Sequence, residues 1–325
     1  MTIGRRTAAS LVGIVLLGSA LRLPAQEWPS APVKIVVPFD PGSTPDTVAR
    51  IVGEGLSIRL HQAFIVENKS GAAGNIGTDN IAKASPDGQT IGVSIGGPLT
   101  VNPVLYRKLP FNPDRDLAPI SIAVSQPLVL AVSKKVPATS AKELVALLKS
   151  TQGKYSYGSV GVGSVSHLAL EWVASASGAT LVHVPYRGAG ALVTDLQSQT
   201  IDMALMPAAA LMPYAKAGSI RAIAVAAPRR SPLVPDLPTF VESGLPDIDG
   251  DGWIGFVAPA RVSPAIQARM NAEIVHVLGD PSVKARLLNL YMEPVGNSAE
   301  QFRAVISSDN GRWRPLIQKL DLKLD

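Results

Sequence analysis

Residues 33–39, VKIVVPF, form a short β-branched apolar run that ends in Pro-Gly, and beyond it apolar residues recur at Val48, Ile51, Val52 and Leu56, the spacing of one helix face. A strand, a turn and a helix in that order, repeated along a chain, commit it to a sheet with helices on its faces. Thr44 is placed to cap this helix, with Pro45 at its first position and Asp46 where the positive end of the helix dipole favours a carboxylate. The pattern recurs. AFIVEN (63–68) is followed by a Gly-rich turn and a helix near 75–84, TIGVSI (90–95) leads into GGPLTVNP, and SIAV and LVLAVS, within 121–133, flank Gln126-Pro127.

Beyond Lys135, Ser140 to Glu143 read as a capping box before an amphipathic helix carrying Leu144, Leu147 and Leu148. YSYGS (155–159) opens a second strand-loop-helix unit in which Ser164 caps the helix of His167, Leu168 and Trp172. LVHVPY (181–186), IDMALM (201–206) and IRAIAVAA (220–227) are further strands, and APRRSPLVPDLPTF, with four prolines, is an extended crossing segment. The last helices start at Ser263-Pro264, Asp280-Pro281 and Ser298, the last with Gln301 as its capping-box partner. Crossings near 121–133 and 220–228 divide the α/β elements into two lobes: 26–124 and 228–325 build the first, 125–227 the second. The crossings lie side by side as a two-segment hinge, and a cleft lies at the strand ends, where open α/β sheets bind ligands. No internal sequence repeat or low-complexity linker is visible.

The length of 325 residues suits one large or two ordinary domains, and 46% hydrophobic with 17% charged residues excludes a disordered or collagen-like chain. Residues 1–25 read as a signal peptide: Arg5 and Arg6, an apolar run from Ala8 to Leu21, and a cleavage point at Pro24-Ala25 before Gln26. That run falls short of the roughly 20 residues that span hydrocarbon as a helix. The arginine pair lacks the tail of a twin-arginine signal, and general secretion fits as well or better. A soluble chain outside the cytoplasm follows, and periplasmic localisation is expected. Of 30 basic residues, Arg5, Arg6 and Arg22 lie in the leader, so 27 remain against 25 acidic ones, and no nucleic-acid surface is implied. The absence of cysteine removes disulfides and thiolate chemistry.

Three loops could carry a site. PFDPGSTPD (38–46) joins a strand to a helix N-terminus, whose unpaired amides and dipole suit an anion, and YGSVGVGSVSH (157–167) does the same in the other lobe, with hydroxyls at Ser159 and Ser164. Two such ends facing one cleft suit a carboxylate, while a single one is also an ordinary capped turn. HVPYRG (183–188) carries Tyr186 and Arg187; Arg187 either pairs with a carboxylate or stands solvated beside Gly188. Enzyme motifs weaken on inspection. Gly92-Val-Ser94-Ile-Gly96 matches a nucleophile elbow, but Pro98 and Asn102-Pro103 are expected to interrupt the helix that motif needs, and His276 sits in an apolar helix pattern. Gly161-Val-Gly163 lacks a dinucleotide fingerprint's third glycine, the four histidines form no metal motif, and Asp247, Asp249 and Asp251 lack the glutamate of a calcium loop.

WPSAPVKIVVPFDPGSTPDTVAR (28–50), VENKSGAAGNIGTDNIAKASPDGQTIG (66–92), NPVLYRKLPFNPDRDLAPIS (102–121), YGSVGVGSVSHLA (157–169) and HVPYRGAGALVTDL (183–196) follow in the order and spacing of a known family. Through them the whole chain after the leader resembles the substrate-binding receptors of tripartite tricarboxylate transporters, the Bug family. The resemblance implies a two-lobed, Venus-flytrap periplasmic binding protein of type II, acting as a monomer. It closes on a small organic acid and delivers it to a permease of one large and one small membrane subunit, with no cofactor, no metal and no catalysis. It points to Phe39, Asp40, Pro41, Gly42 and Ser43 in the first turn, with Asp46 organising it, and to Ser159, Gly161, Gly163, Ser164 and His167 in the second. Ser94 and Gly97 would line the floor, and Tyr186, Arg187 and Ala208 the distal wall.

Two positions depart from the family. Ser43 stands where relatives usually have a glycine, and Asp40 where many have a small or apolar residue. An Asp40 that points into the cleft would repel a second carboxylate or attract an amine; one that points outward does neither. Dicarboxylates, tricarboxylates, aromatic acids and amino acids stay open as ligands. A sensory partner of a membrane kinase is the alternative role, and an enzyme on the same fold a distant third.

Overall fold

β1 (Val33–Val37) buries four of its five residues and leaves Lys34 exposed, so it runs through the middle of a sheet covered on both faces. The computed structural model describes residues 28–227, 229–245 and 252–324. The expected leader at 1–25 and the aspartates at 247, 249 and 251 lie outside the described residues.

α1 (Thr44–Leu60) follows β1 and leads to β2 (Phe64–Asn68). A tight turn at Ala72–Gly74 and α2 (Asn75–Ala82) lead to β3 (Thr90–Ile95). β2 and β3 both pair with β1 in parallel. α1 lays Val48, Val52 and Leu56 against Ile35 and Val37, and each such burial contributes roughly 1.5–3 kcal/mol. The cap of α1 is Ser43, not Thr44: its hydroxyl accepts from Asp46 N, and Thr44 is already helical.

The chain leaves β3 without the interruption expected from its prolines. A π-helical turn (Gly97–Val101) runs into α3 (Asn102–Leu105), and Pro98 and Pro103 sit in the first turn of each segment, where the backbone needs no N–H donor. After α4 (Pro113–Asp116), β4 (Leu117–Gln126) ends the first pass through this sheet.

β5 (Leu128–Ser133) begins a second sheet. α5 (Ala141–Ser150) is capped by Ser140, but Glu143 turns its carboxylate back onto Thr139, not onto the backbone of Ser140, so the expected box closes one residue early. β6 (Ser156–Ser159), α6 (Val165–Ser177), β7 (Val182–Pro185), α7 (Ala189–Gln197), β8 (Met203–Pro207), α8 (Ala208–Lys216) and β9 (Ile220–Ala226) complete that sheet. The chain returns through β10 (Gly252–Pro259), α9 (Pro264–Gly279), α10 (Pro281–Asn289), β11 (Glu293–Pro294) and α11 (Ala299–Lys319), the last with the expected Ser298–Gln301 capping box.

The strand orders are β11-β4-β10-β3-β1-β2 and β7-β6-β8-β5-β9. Each sheet therefore carries three parallel strands ordered 3-1-2. Beside them lies an antiparallel strand that has just arrived from the other lobe (β10 or β5), then the strand that leaves for it (β4 or β9). The two lobes share one plan although no sequence repeat links them. The crossings meet: Gln126 pairs with Gly252 and Leu128 with Ala226, with Pro127 alone between.

α11 ties the lobes together a third time. Phe302 and Ile306 pack with Val36 and Trp253 of the first lobe, whereas Trp313, Leu316 and Ile317 belong to the core of the second, where Trp313 meets Trp172 edge to face. Among the described residues no helix is long and apolar enough to cross a membrane.

Candidate functional site

β1 and β6 occupy equivalent places: each is the strand from which the chain steps first to one neighbour and then to the other. The carboxyl ends of such strands are where open α/β sheets leave a crevice. Because β3 is parallel to β1, the turn at 38–43 lies beside the end of β3, which carries Ser94, and the start of the π-helical turn at Gly97. Because β7 and β8 are parallel to β6, the 159–164 loop, Tyr186-Arg187 and Ala208 lie along one edge of the second sheet.

The first turn is built around Asp46. Its Oδ2 accepts from Gly42 N at 2.9 Å and Arg50 Nε at 3.0 Å, and its Oδ1 from Arg50 Nη2 and Asn68 Nδ2, both at 2.9 Å. Asn68 also donates to Phe39 O, and Ser43 N donates to Asp40 O. Burial pushes the Asp46 carboxyl up, but Arg50, Gly42 N–H and Asn68 outweigh it and hold it below its ordinary 3.8. Every oxygen lobe of Asp46 facing the protein is thus occupied, and the residue shapes the turn from beneath. Phe39 is half-buried against the first-lobe core, whereas Asp40, Pro41 and Gly42 are exposed, and Gly42 takes φ +80° to make the bend. Thr44 N is left without a partner among the described residues.

In the second loop, Ser164 caps α6 through His167 N and sends its hydroxyl to Gly161 O at 2.7 Å. Ser159 Oγ donates to Gly161 O at 3.0 Å and accepts from Gly161 N at 3.2 Å. Gly163 N donates to His167 Nδ1 at 3.0 Å, so the imidazole of His167 closes the loop from below. Val165 N and Ser166 N, the first amides of α6, are without a partner among the described residues. Gly161 and Gly163 both hold positive φ, +121° and +79°. Open space surrounds a Cβ added to Gly161, but one on Gly163 would lie 1.9 Å from Leu105 Cδ2, so Gly163 is where the second lobe packs onto α3.

The remaining expected positions divide. Ser94 is fully buried with its hydroxyl on Ile95 O, and Gly97 has open space where a side chain would be. Arg187 is exposed. Tyr186 turns its hydroxyl onto Asp195 Oδ2 at 2.7 Å, within its own lobe, and Ala208 is fully buried with its N–H on Pro127 O. Of the expected distal wall, then, Tyr186 and Ala208 have their polar groups engaged by the protein itself.

Residues that sequence spacing did not single out complete the second loop. His183, opposite Tyr157 in the β6–β7 register, stacks on Tyr157 with centroids 4.9 Å apart and on His167 at 4.1 Å, and its Nε2 lies 2.6 Å from Ser159 Oγ. Tyr157 OH bonds Glu171. Burial lowers both histidines to about 4, with the neighbouring His167 adding to the shift at His183. In the first lobe, Asn102 reaches Asn75 Oδ1 at 2.6 Å and Ala73 O at 3.2 Å, holding a turn in which Ala72 and Ala73 are both left-handed. The motif SGAAGN announced a turn, but not that two alanines would bear such φ values.

The contact of Ser159 with His183 has the reach of a nucleophile and its base, yet Ser159 is fully buried and its oxygen already serves the Gly161 amide and carbonyl. The nearby carboxylate, Glu171, is tied to Tyr157. Ser94 has no histidine partner among the described residues, and His276 is exposed on α9. No cluster of three His, Asp or Glu side chains able to hold a metal occurs among the described residues. Cavities of about 320 Å³ beside Lys134, Lys216 and Arg221, and about 340 Å³ beside Leu99, Asp114 and Arg303, lie away from the two loops.

Residues 48–322 match the sequence profile described as "Tripartite tricarboxylate transporter family receptor". Protein BugT of Bordetella pertussis is 31% identical over 327 aligned residues, spanning 100% of both chains. Among solved structures, Rpa4515 of R. palustris, determined with adipate, superposes with a TM-score of 0.86 at 29% identity, covering 91% of this chain and 99% of its own. MatC of Rhodopseudomonas palustris, with bound malate, gives 0.81 at 28% identity, covering 89% and 100%.

Proposed function

Because the chain belongs to the tripartite tricarboxylate transporter receptor family, we propose that it is a periplasmic receptor that encloses a small carboxylate between its lobes and hands it to a two-subunit membrane permease. The reading rests on one observation: the switch-point strand of each lobe leads into a serine-capped helix with a first-turn amide that has no partner among the described residues, Thr44 N in one lobe and Val165 N and Ser166 N in the other. One such end contributes about 0.3–1 kcal/mol to holding an anion, up to about 2 when partly buried, so affinity comes from closing both around the ligand. Adipate and malate in the two neighbours are acids of this kind. Lobe limits at 124/125 and 227/228, removal of residues 1–25 on export, and monomeric action complete the proposal.

Asp40 bears on ligand choice. Its side chain is exposed at the lip of the first turn, where a carboxylate weakens the field that draws an anion in. Asp40→Asn is expected to tighten a dicarboxylate two- to fivefold, about, at low salt and less as salt screens the charge. Unchanged relative affinities for a dicarboxylate and an amino acid would remove Asp40 from the ligand's surroundings.

The direct test is thermal denaturation of the chain from Gln26 with adipate, malate and their amides. Ligand at one hundred times its Kd adds about 2.7 kcal/mol. At roughly 2–4 °C per kcal/mol, that is several degrees. A shift with an acid and none with its amide is expected. No shift from any acid, repeated on protein unfolded and refolded to strip bound solute, would overturn the reading.

A further inference from the structure

Behind the 159–164 loop lies a stack that its hydrogen bonds reach at two points. Tyr157 of β6, His183 of β7 and His167 of α6 lie nearly parallel, with the two imidazole centroids 4.1 Å apart and 20° between their planes. The outer imidazole holds Gly163 N–H on its Nδ1. The inner one touches Ser159 Oγ, which in turn holds both the amide and the carbonyl of Gly161. We propose that His183 and His167 are positioning residues of the ligand-facing loop, and that the loop keeps its capturing shape only while both rings are neutral. This rests on the proposed carboxylate site.

The chemistry is that of one nitrogen. An Nδ1 that accepts from Gly163 N–H has its lone pair free, and its ring carries its proton on Nε2. Protonation fills Nδ1 and sets N–H against N–H, so Gly163 must turn away. Protonation of His183 places a positive ring flat against His167. The charged and titratable groups facing the pair are Tyr157 from β6 and Glu171 from α6. Glu171 favours the charged form of His183, while its Oε1 is taken by Tyr157 OH. Burial opposes that charge in both rings, which brings them to about 4 against the ordinary 6.5.

The sign follows. A histidine whose folded value is depressed is neutral in the native state down to its folded value, and protonates below it. If either ring protonating releases the loop, and a charge on one ring keeps the other neutral, then near pH 4 about two-thirds of the unliganded molecules have it released, and affinity there falls about threefold from this cause.

The variants separate the roles. Asn at position 167 places Oδ1 where Nδ1 was, an acceptor that does not titrate; Phe there offers none. At 183, Gln reaches Ser159 without stacking, whereas Phe stacks without reaching it. The probe ligands are adipate and malate. The ratio of Kd near pH 4 to Kd near pH 7 should be about 1.5-fold larger in the wild type than in His167→Asn, in which His183 still titrates, and about threefold larger than in His167→Asn/His183→Gln, the ligand's own titration being common to all. His167→Phe should lose affinity at both pH values with its fold intact by circular dichroism. His183→Gln and His183→Phe should each recover part of what His183→Ala loses. Equal ratios in wild type and His167→Asn would overturn the proposal.

A second arm needs no ligand. In NMR titrations of the free protein, the Gly163 amide resonance should move with the His167 ring midpoint in the wild type, and in His167→Asn only with the midpoint of His183. A Gly163 resonance indifferent to the ring overturns the inference. If neither acid binds at pH 7, the carboxylate reading fails, and this arm alone decides the role of the histidines.

Discussion

Gly161 and Gly163 stand two residues apart in one loop, both at positive φ, and are needed for different reasons. A side chain on Gly163 collides with Leu105, so Gly163→Ala should lower the melting temperature, and Leu105→Ala in the same chain should relieve the clash without recovering full stability, since it also leaves a cavity. Gly161→Ala has room; it pays only for its backbone, about 1–2 kcal/mol, and should weaken acid binding more than it lowers stability. If both variants lose stability and affinity in step, the distinction is wrong. Asp46 offers a test by pH. Its carboxyl is held below 3.8, so the stabilisation it confers is complete above that value and is lost as pH falls through its folded value. Asp46→Ala should cost about 1–3 kcal/mol at neutral pH, by stranding Gly42 N–H and Asn68, and should flatten the wild type's loss of stability on the acid side. Asp46 was legible in the sequence because its role is local, four residues from both Gly42 and Arg50. His183 was not, because its partners at Tyr157, Ser159 and His167 are brought to it by strand register and helix packing, which spacing along the chain does not encode.

Helix starts were the most readable elements: Ser164, Ser263, Asp280 and Ser298 all cap where capping chemistry placed them. The exceptions are instructive. Thr44 and Ser43 are both good caps, and Ser43 wins because its extended backbone can aim Oγ at Asp46 N while Thr44 stands before Pro45 already in the helix. Replacing Ser43 with glycine should therefore cost a few tenths of a kcal/mol, and with alanine about 1, as read by chemical denaturation. Equal losses for the two would mean the hydroxyl does more than cap. Ser164→Ala should exceed Ser43→Ala, because Ser164 also holds Gly161 O, and only the former variant should alter the Gly161 resonance. The prolines after β3 misled in the opposite sense: read as breakers, they stand at helix starts, where proline fits.

At the scale of the whole molecule, the crossings around Gln126-Pro127 and beyond β9 were visible as strands flanking turn residues, and the two lobes follow from them. What the sequence concealed is that α11 serves both lobes: capping residues fix where the helix starts, and nothing in its apolar spacing says that Phe302 and Trp313 face different cores. Trp313→Ala should cost about 3–5 kcal/mol and, since it frees the second lobe from this strap, should separate one melting transition into two in calorimetry. A single, merely lowered transition would show that the crossings alone couple the lobes. The shared plan of the sheets also has a consequence in time. The second sheet is drawn from one uninterrupted stretch, β5 to β9, whereas the first waits for β10 and β11 to fill its order. A nascent chain emerges from its amino end and its units fold as they become complete. The lobe that stands second in the chain thus has all its strands first, and the lobe that was begun first must hold its parallel strands half-paired until nearly the last residue arrives.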